Sequence, residues 1–152
     1  MKNEKLNLTL LIFSLIVSSL LLMFSYFCQR KFVKVLVGDV EVYAEIADTP
    51  IKRMIGLMNR SELKENESML FVFEREGFYK FWMFNMKFPI DIIWISKDKT
   101  IIGCSEDLKP CRLNCIIYEP PEPILYALEV NSGFCKKYKI RVGDKVKFAK
   151  VI

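Results

Sequence analysis

The sequence predicts a mainly β domain, a compact single barrel or sandwich of short strands with two short helices, behind an N-terminal transmembrane helix. Three observations carry this reading. Residues 6–27, from Leu6 to Phe27, contain neither a charge nor a proline. From Phe32 onward, short apolar runs recur between turn residues, at the spacing of a barrel or sandwich. Helix-start signals are confined to two places, Thr49-Pro50 and Asn131-Ser132-Gly133.

As a helix, the uncharged run rises roughly 33 Å, enough to cross a hydrocarbon core. A cleaved signal peptide is the competing reading. It calls for a shorter apolar region and small residues at the cleavage site, whereas this run ends Ser25-Tyr26-Phe27-Cys28. The same bulky residues make Cys28 a poor lipidation site. Residues 1–30 are therefore expected to form an uncleaved signal anchor, and residues 31–152 the domain. Lys2 and Lys5 on one side, against Arg30, Lys31 and Lys34 on the other, leave the orientation nearly balanced.

The domain's elements follow in order. Phe32–Val37 reads as a strand, Gly38-Asp39 as a hairpin turn, and Val40–Ile46 as a half-buried strand in which Val40, Val42, Ala44 and Ile46 share one face. Thr49 caps a short helix that starts at Pro50 and ends at Gly56. A polar loop covers residues 61–68. Met69–Phe73 and Ile90–Ile95 are nearly continuous apolar runs, as in strands covered on both faces, with a strand at Lys80–Asn85 between them. Lys97-Asp98-Lys99 turns into a strand at Thr100–Cys104. Residues 107–123 are proline-rich and read as a long loop. Ile124–Val130 is a strand, a second short helix runs to about Tyr138, and Arg141-Val142-Gly143-Asp144 turns into a last strand, Lys145–Val151.

Composition excludes several functions. The chain has no histidine, which removes Ser-His-Asp and Cys-His catalysis, His-based zinc sites and a histidine pH switch. Its five cysteines, Cys28, Cys104, Cys111, Cys115 and Cys135, form no Cys-x-x-Cys pair. No metal site or cofactor is expected, because Met54, Met58, Met69, Met83 and Met86 lack a tight Met-x-Met array for Cu(I) and suit core filling better. The net charge is +5, without the basic stripe of a nucleic-acid footprint. The expected partner is the membrane, through a single-pass anchor, and not nucleic acid.

The densest signal is Phe81-Trp82-Met83-Phe84-Asn85, with Pro89-Ile90-Asp91 close behind. With Arg53-x-x-Gly56-Leu57-Met58-x-Arg60-x-x-Leu63 and Met69-Leu70-Phe71-x-Phe73, it resembles the domain of unknown function 192 family, also catalogued as uncharacterised protein family 0127. Pro110-Cys111-x-x-x-Cys115, Tyr126-x-Leu128-Glu129-Val130-x-x-Gly133 and Ile140-x-x-Gly143-Asp144 extend the resemblance over about residues 40–152. The chain departs from the family's usual pattern at Met86, where Thr is common, and at Ser68, where Gly is common. The resemblance implies a compact, mainly β domain, often behind an exported or anchoring N-terminus, and no established activity.

What these residues do stays open at this level. Asp91 shares a strand face with Ile93 and Ile95, and Glu129 with Leu125 and Ala127, so both carboxylates are expected to be partly buried. Arg53 and Arg60 are their natural partners, as a latch between helix and sheet. The leading functional reading is a non-catalytic binding or accessory module with a pocket around Arg60, Trp82, Asn85 and Asp91. The alternatives are an extracytoplasmic hydrolase using Asp91 and Glu129, and a purely structural envelope domain. Regular alternation would put Trp82 and Asn85 on opposite faces, so a shared cleft requires the strand to end or bulge near residue 84. Outside the cytoplasm, Cys111 and Cys115 are expected to form a disulfide.

Overall fold

The computed structural model describes the backbone of residues 2–27 and 30–150, and the side chains of residues 10–22 and 30–149. The chain falls into two units, residues 1–30 and residues 31–152. The first holds one helix, α1 (Lys2–Phe27). Among the described residues, no helix is long and apolar enough to cross a membrane. Cys28, considered above for lipidation, lies outside the described residues.

The second unit is mainly β. Its strands are β1 (Phe32–Val37), β2 (Val40–Ala47), β3 (Glu67–Gly77), β4 (Phe81–Trp82), β5 (Ile90–Ile95), β6 (Ile101–Leu108), β7 (Ile117–Tyr118), β8 (Ile124–Asn131) and β9 (Val146–Lys150). The helices are α2 (Pro50–Ile55) and α3 (Phe134–Lys137). Seven strands make one curled, half-barrel sheet in the order β6-β5-β8-β3-β2-β1-β9, and β4 pairs with β7 in a separate two-stranded sheet. The two ends of the large sheet approach each other at a bridge between Thr100 and Lys145. Backbone bonds from Ile101 N–H to Asp144 C=O and from Val146 N–H to Lys99 C=O reinforce that seam. The β2–β3 pair is parallel, and α2 lies in the connection between the two strands.

The curl divides the apolar residues into two cores. The inner one gathers Val35, Val37, Val42, Ala44, Leu70, Ile93, Ile95, Leu128 and Val130, closed by Phe134 and Cys135 of α3. The outer one holds Met69, Phe71, Phe73, Ile90, Ile92, Trp94 and Ala127, covered by Leu57, Leu63, Phe81 and Met83. Every residue of β5 is buried because the strand serves both cores.

Several elements differ from their sequence reading. β3 runs to Gly77, well beyond Phe73, with an irregular register after Val72. β6 extends to Leu108, past the expected end at Cys104. The strand expected over Lys80–Asn85 shrinks to Phe81–Trp82, since its partner β7 has only two residues. Three residues past its end, Asn85 takes a left-handed backbone, φ 55°. β7 itself lies in the stretch read as loop. Of the expected final strand, Val151 lies outside the described residues.

Candidate functional site

Strand alternation and register position the site. One row across the sheet reads Glu45 on β2, Met69 on β3, Glu129 on β8 and Ile92 on β5. All four side chains point to the outer core. The next row reads Ala47, Phe71, Ala127 and Trp94, on the same face. Over these rows sit α2 and the turn after it. Thr49 starts that helix, its Oγ1 accepting the Lys52 N–H at 3.3 Å, and Gly56 ends it at φ 50° and ψ −135°.

Between this cover and the segment from Tyr79 to Met86 lies a cavity of about 140 Å³. Phe71, Phe73, Phe81 and Trp82 supply most of its aromatic wall, Met54, Met58 and Met86 its flexible apolar parts, and Glu129 its carboxyl group. Phe71 and Phe81 meet edge to face, with centroids 4.9 Å apart, and Tyr79 stacks on Phe73 at 3.5 Å. The wall is therefore preformed. Trp82 stays 54 % exposed at the mouth, while Met83 beside it is buried.

Glu129 is the unusual group. Its Oε2 is enclosed and has no hydrogen-bond partner among the described residues. Burial pushes its carboxyl up to about 8, against a smaller opposing pull from Arg60. The group is thus predominantly protonated at neutral pH and presents one O–H donor and acceptor capacity to the cavity. The cations nearby are each engaged by another carboxylate. Arg60 donates to Glu45 at 2.7 Å, Arg53 to Glu74 at 2.9 Å and to the Val72 carbonyl at 2.7 Å, and Lys80 pairs with Glu119 at 3.1 Å.

The expected latch of Arg53 or Arg60 onto Asp91 or Glu129 is therefore replaced by pairs with Glu74 and Glu45. Arg60 reaches Glu45 at the end of the row, and Met69 separates that glutamate from Glu129. Asp91 lies in the inner core, opposite Val130. It is fully buried and satisfied by backbone groups. Its Oδ1 accepts the N–H groups of Asp107 at 2.9 Å and Gly133 at 3.1 Å, and its Oδ2 that of Cys135 at 3.0 Å. Asp91 and Glu129 thus occupy opposite faces of the sheet, and no substrate bond can lie between them. A paired-carboxylate hydrolysis requires both groups on one side.

Trp82 and Asn85 also part. Trp82 lines the cavity. Asn85 is exposed on a turn, where its N–H donates to the Cys111 carbonyl at 3.0 Å. Cys111 and Cys115 form a disulfide with Cα atoms 5.5 Å apart. Cys111 N–H donates to Met83 C=O at 3.0 Å, so the bridged loop braces the segment that carries Trp82. Of the expected site residues, the structure brings Trp82 and Glu129 to one cavity, pairs Arg60 with Glu45 outside its lining, and places Asn85 and Asp91 elsewhere. The sequence reading missed Met54, Met58, Tyr79 and Met86 as wall residues. The Gly56-Leu57-Met58 run was the available signal, since a helix end at Gly56 sets Met58 over the sheet.

Comparison with known proteins places this geometry in a family. A family model described as an uncharacterized ACR, DUF192, matches residues 33–148. A UPF0127 protein of Pyrococcus abyssi is 33% identical over 106 residues, covering 68% of this chain and 84% of its relative. A crystal structure from Sinorhizobium meliloti 1021, of a protein described as a proposed transcription regulator, is similar with a TM-score of 0.71 at 28% identity. The similarity covers 79% of this chain and 94% of that one. A protein of unknown function from Novosphingobium aromaticivorans DSM 12444 is similar with a TM-score of 0.67 at 30% identity, over 78% of this chain and 85% of that one. The chain belongs to the DUF192 (UPF0127) family.

Proposed function

We propose that the domain is a non-catalytic binding module whose outer cavity takes a compact apolar group capped by an N–H or O–H donor. One observation carries this reading. Glu129, whose carboxyl is buried and has one oxygen without a hydrogen-bond partner among the described residues, lines an aromatic, methionine-rich cavity that opens to solvent. An orphaned buried acceptor costs free energy, and a ligand donor relieves that cost. With Arg60, Arg53 and Lys80 already paired, Glu129 is the group left to set ligand charge. An alcohol exchanges hydrogen bonds with the neutral carboxyl and an ammonium ligand displaces its proton to form an ion pair, whereas a carboxylate meets only cations that are already paired and is disfavoured. A cavity of this size takes a group comparable to benzene.

Benzylamine, benzyl alcohol and benzoate, each at millimolar concentration, test the reading by amide chemical-shift perturbation on the full chain in detergent. The amine and the alcohol should move resonances at Met58, Phe71, Phe81, Trp82 and Glu129, and benzoate should not. In Glu129→Gln the amine should lose its advantage over the alcohol. Equal shifts from all three compounds, or shifts confined to residues away from the cavity, would overturn it.

The location of the module belongs to the same proposal. Residues 6–27 anchor it in a membrane as a single pass, and the domain lies on the extracytoplasmic side. The uncharged, proline-free run supports the anchor, and the Cys111–Cys115 disulfide supports an oxidising compartment. Nucleic acid stays outside the proposal, because the net charge of +5 is not gathered into a basic stripe along the sequence.

A further inference from the structure

Cys104 and Cys135 take no part in the outer cavity. Cys104 lies on β6 opposite Ile93, so its side chain shares the inner face. Cys135 sits at the start of α3, buried in the same inner core against which Cys104 packs. Packed into one core, the two thiols lie close enough for each to act on the other's ionisation. They are held there by a third group. Asp91 accepts the Asp107 N–H from the strand that carries Cys104, and the Gly133 and Cys135 N–H groups from the segment that carries Cys135. One buried carboxylate thus fixes both backbones and, with them, the approach of the two sulfur atoms. Cys104 is partly buried, and Cys135 is 3 % exposed. A reagent in solution meets Cys104 first.

We infer that Cys104 and Cys135 are a dithiol site that closes to a second intramolecular disulfide on exchange with a disulfide oxidant, stapling α3 to β6. The steps balance. Cys104 thiolate attacks a sulfur of the oxidant, forming a mixed disulfide and expelling one thiolate. Cys135 thiolate then attacks the Cys104 sulfur, forming the Cys104–Cys135 bond and expelling the second. The two protein thiols lose two protons to solvent, and their two electrons reduce the oxidant to two thiols. The Cys135 contact holds the Cys104 thiol below its usual range, against burial and the smaller opposing charges of Glu106, Asp91 and Asp144, whereas the same contact and burial push the Cys135 thiol up. Cys104 is therefore the attacking thiol, and closure by Cys135 is the slow step, which suits a staple better than a catalytic couple. This inference does not depend on the cavity reading.

The test is incubation of the full chain in detergent with oxidised glutathione, followed by denaturation, alkylation and non-reducing peptide mapping. The expected result is a Cys104–Cys135 cross-linked peptide beside the Cys111–Cys115 one, with two fewer alkylations and reversal by dithiothreitol. Closing a loop of roughly 30 residues should raise Tm by about 10 °C. Cys104→Ser and Cys135→Ser should each abolish the cross-link and the Tm rise. A glutathione adduct resting on Cys104 with Cys135 still alkylated, a bridge from either residue to Cys28, or two unreacted thiols would each overturn the inference.

Discussion

At the scale of single residues, two carboxylates with similar sequence surroundings have opposite roles, because one β5–β8 register step separates their faces. Glu129 has a folded-state carboxyl pushed up to about 8 by burial, against an ordinary value of 4.5. The sign follows directly. Between pH 4.5 and 8 the folded chain holds a proton that the unfolded chain has released, so stability is fully present below 4.5 and falls as pH rises towards 8. Glu129→Gln removes this dependence and should stabilise the domain on the order of 3–5 kcal/mol at pH 8, and far less at pH 4.5. Denaturant melts at the two pH values measure it, and equal gains at both would contradict the burial argument. Substitution of Asp91 acts on stability in the opposite direction. Asp91→Ala leaves the Asp107, Gly133 and Cys135 N–H groups without their acceptor and should cost about 3–5 kcal/mol, read from the same melts. The alternation of apolar residues made the burial of both carboxylates legible in the sequence. That they face opposite cores was not, because the register of β5 against β8 joins segments about 30 residues apart.

At the scale of elements, local chemistry was legible, including the hairpin at Gly38-Asp39, and pairing between distant segments was not. β1 has the bounds that its composition predicts, and α2 lies between the Thr49 cap and Gly56, as its termini signal. Both depend on neighbours in sequence. β4 is short and β7 was missed, because each exists only through the other. β7 precedes Pro120, Pro121 and Pro123, which weigh towards loop in any local reading. Gly56 shows what one element end does for the site. Its φ of 50° with ψ of −135° is a conformation that residues with a Cβ avoid, and an added Cβ would stand 3.4 Å from Cζ of Phe71. Gly56→Ala should therefore cost about 1–3 kcal/mol. Relaxation of the turn would displace Leu57, which is buried, and Met58, which lines the cavity. The variant should bind benzyl alcohol more weakly than its loss of stability accounts for at temperatures where it remains folded. Isothermal titration on the folded variant separates the two effects, and unchanged affinity would show that the α2 end does not shape the cavity.

At the scale of the whole molecule, the proposal assigns anchoring to the first unit and recognition to the second. The proposed anchor begins and ends close to charge, with Lys5 on one side and Arg30-Lys31 on the other, and Phe32 already opens β1. Trp82, Phe84, Leu113, Ile116 and Ile117 are all exposed, and Lys80, Lys87 and Lys109 lie close to them in sequence. If residues 6–27 span the bilayer and are retained, mass spectrometry of the membrane fraction should find the intact chain of 17.9 kDa. Alkaline carbonate should leave it in the pellet, since integral spans resist that extraction and peripheral domains do not. Blocking thiols during isolation should recover Cys111 and Cys115 joined, in keeping with an oxidising side of the membrane. A mature chain beginning near residue 29 in the soluble fraction would show that the apolar run is a cleaved signal. A retained chain whose Cys111 and Cys115 alkylate at once would keep the anchor but turn the domain to the reducing side. Those two outcomes fail different halves of the proposal, because retention depends on the apolar run and sidedness on the loop chemistry of the domain.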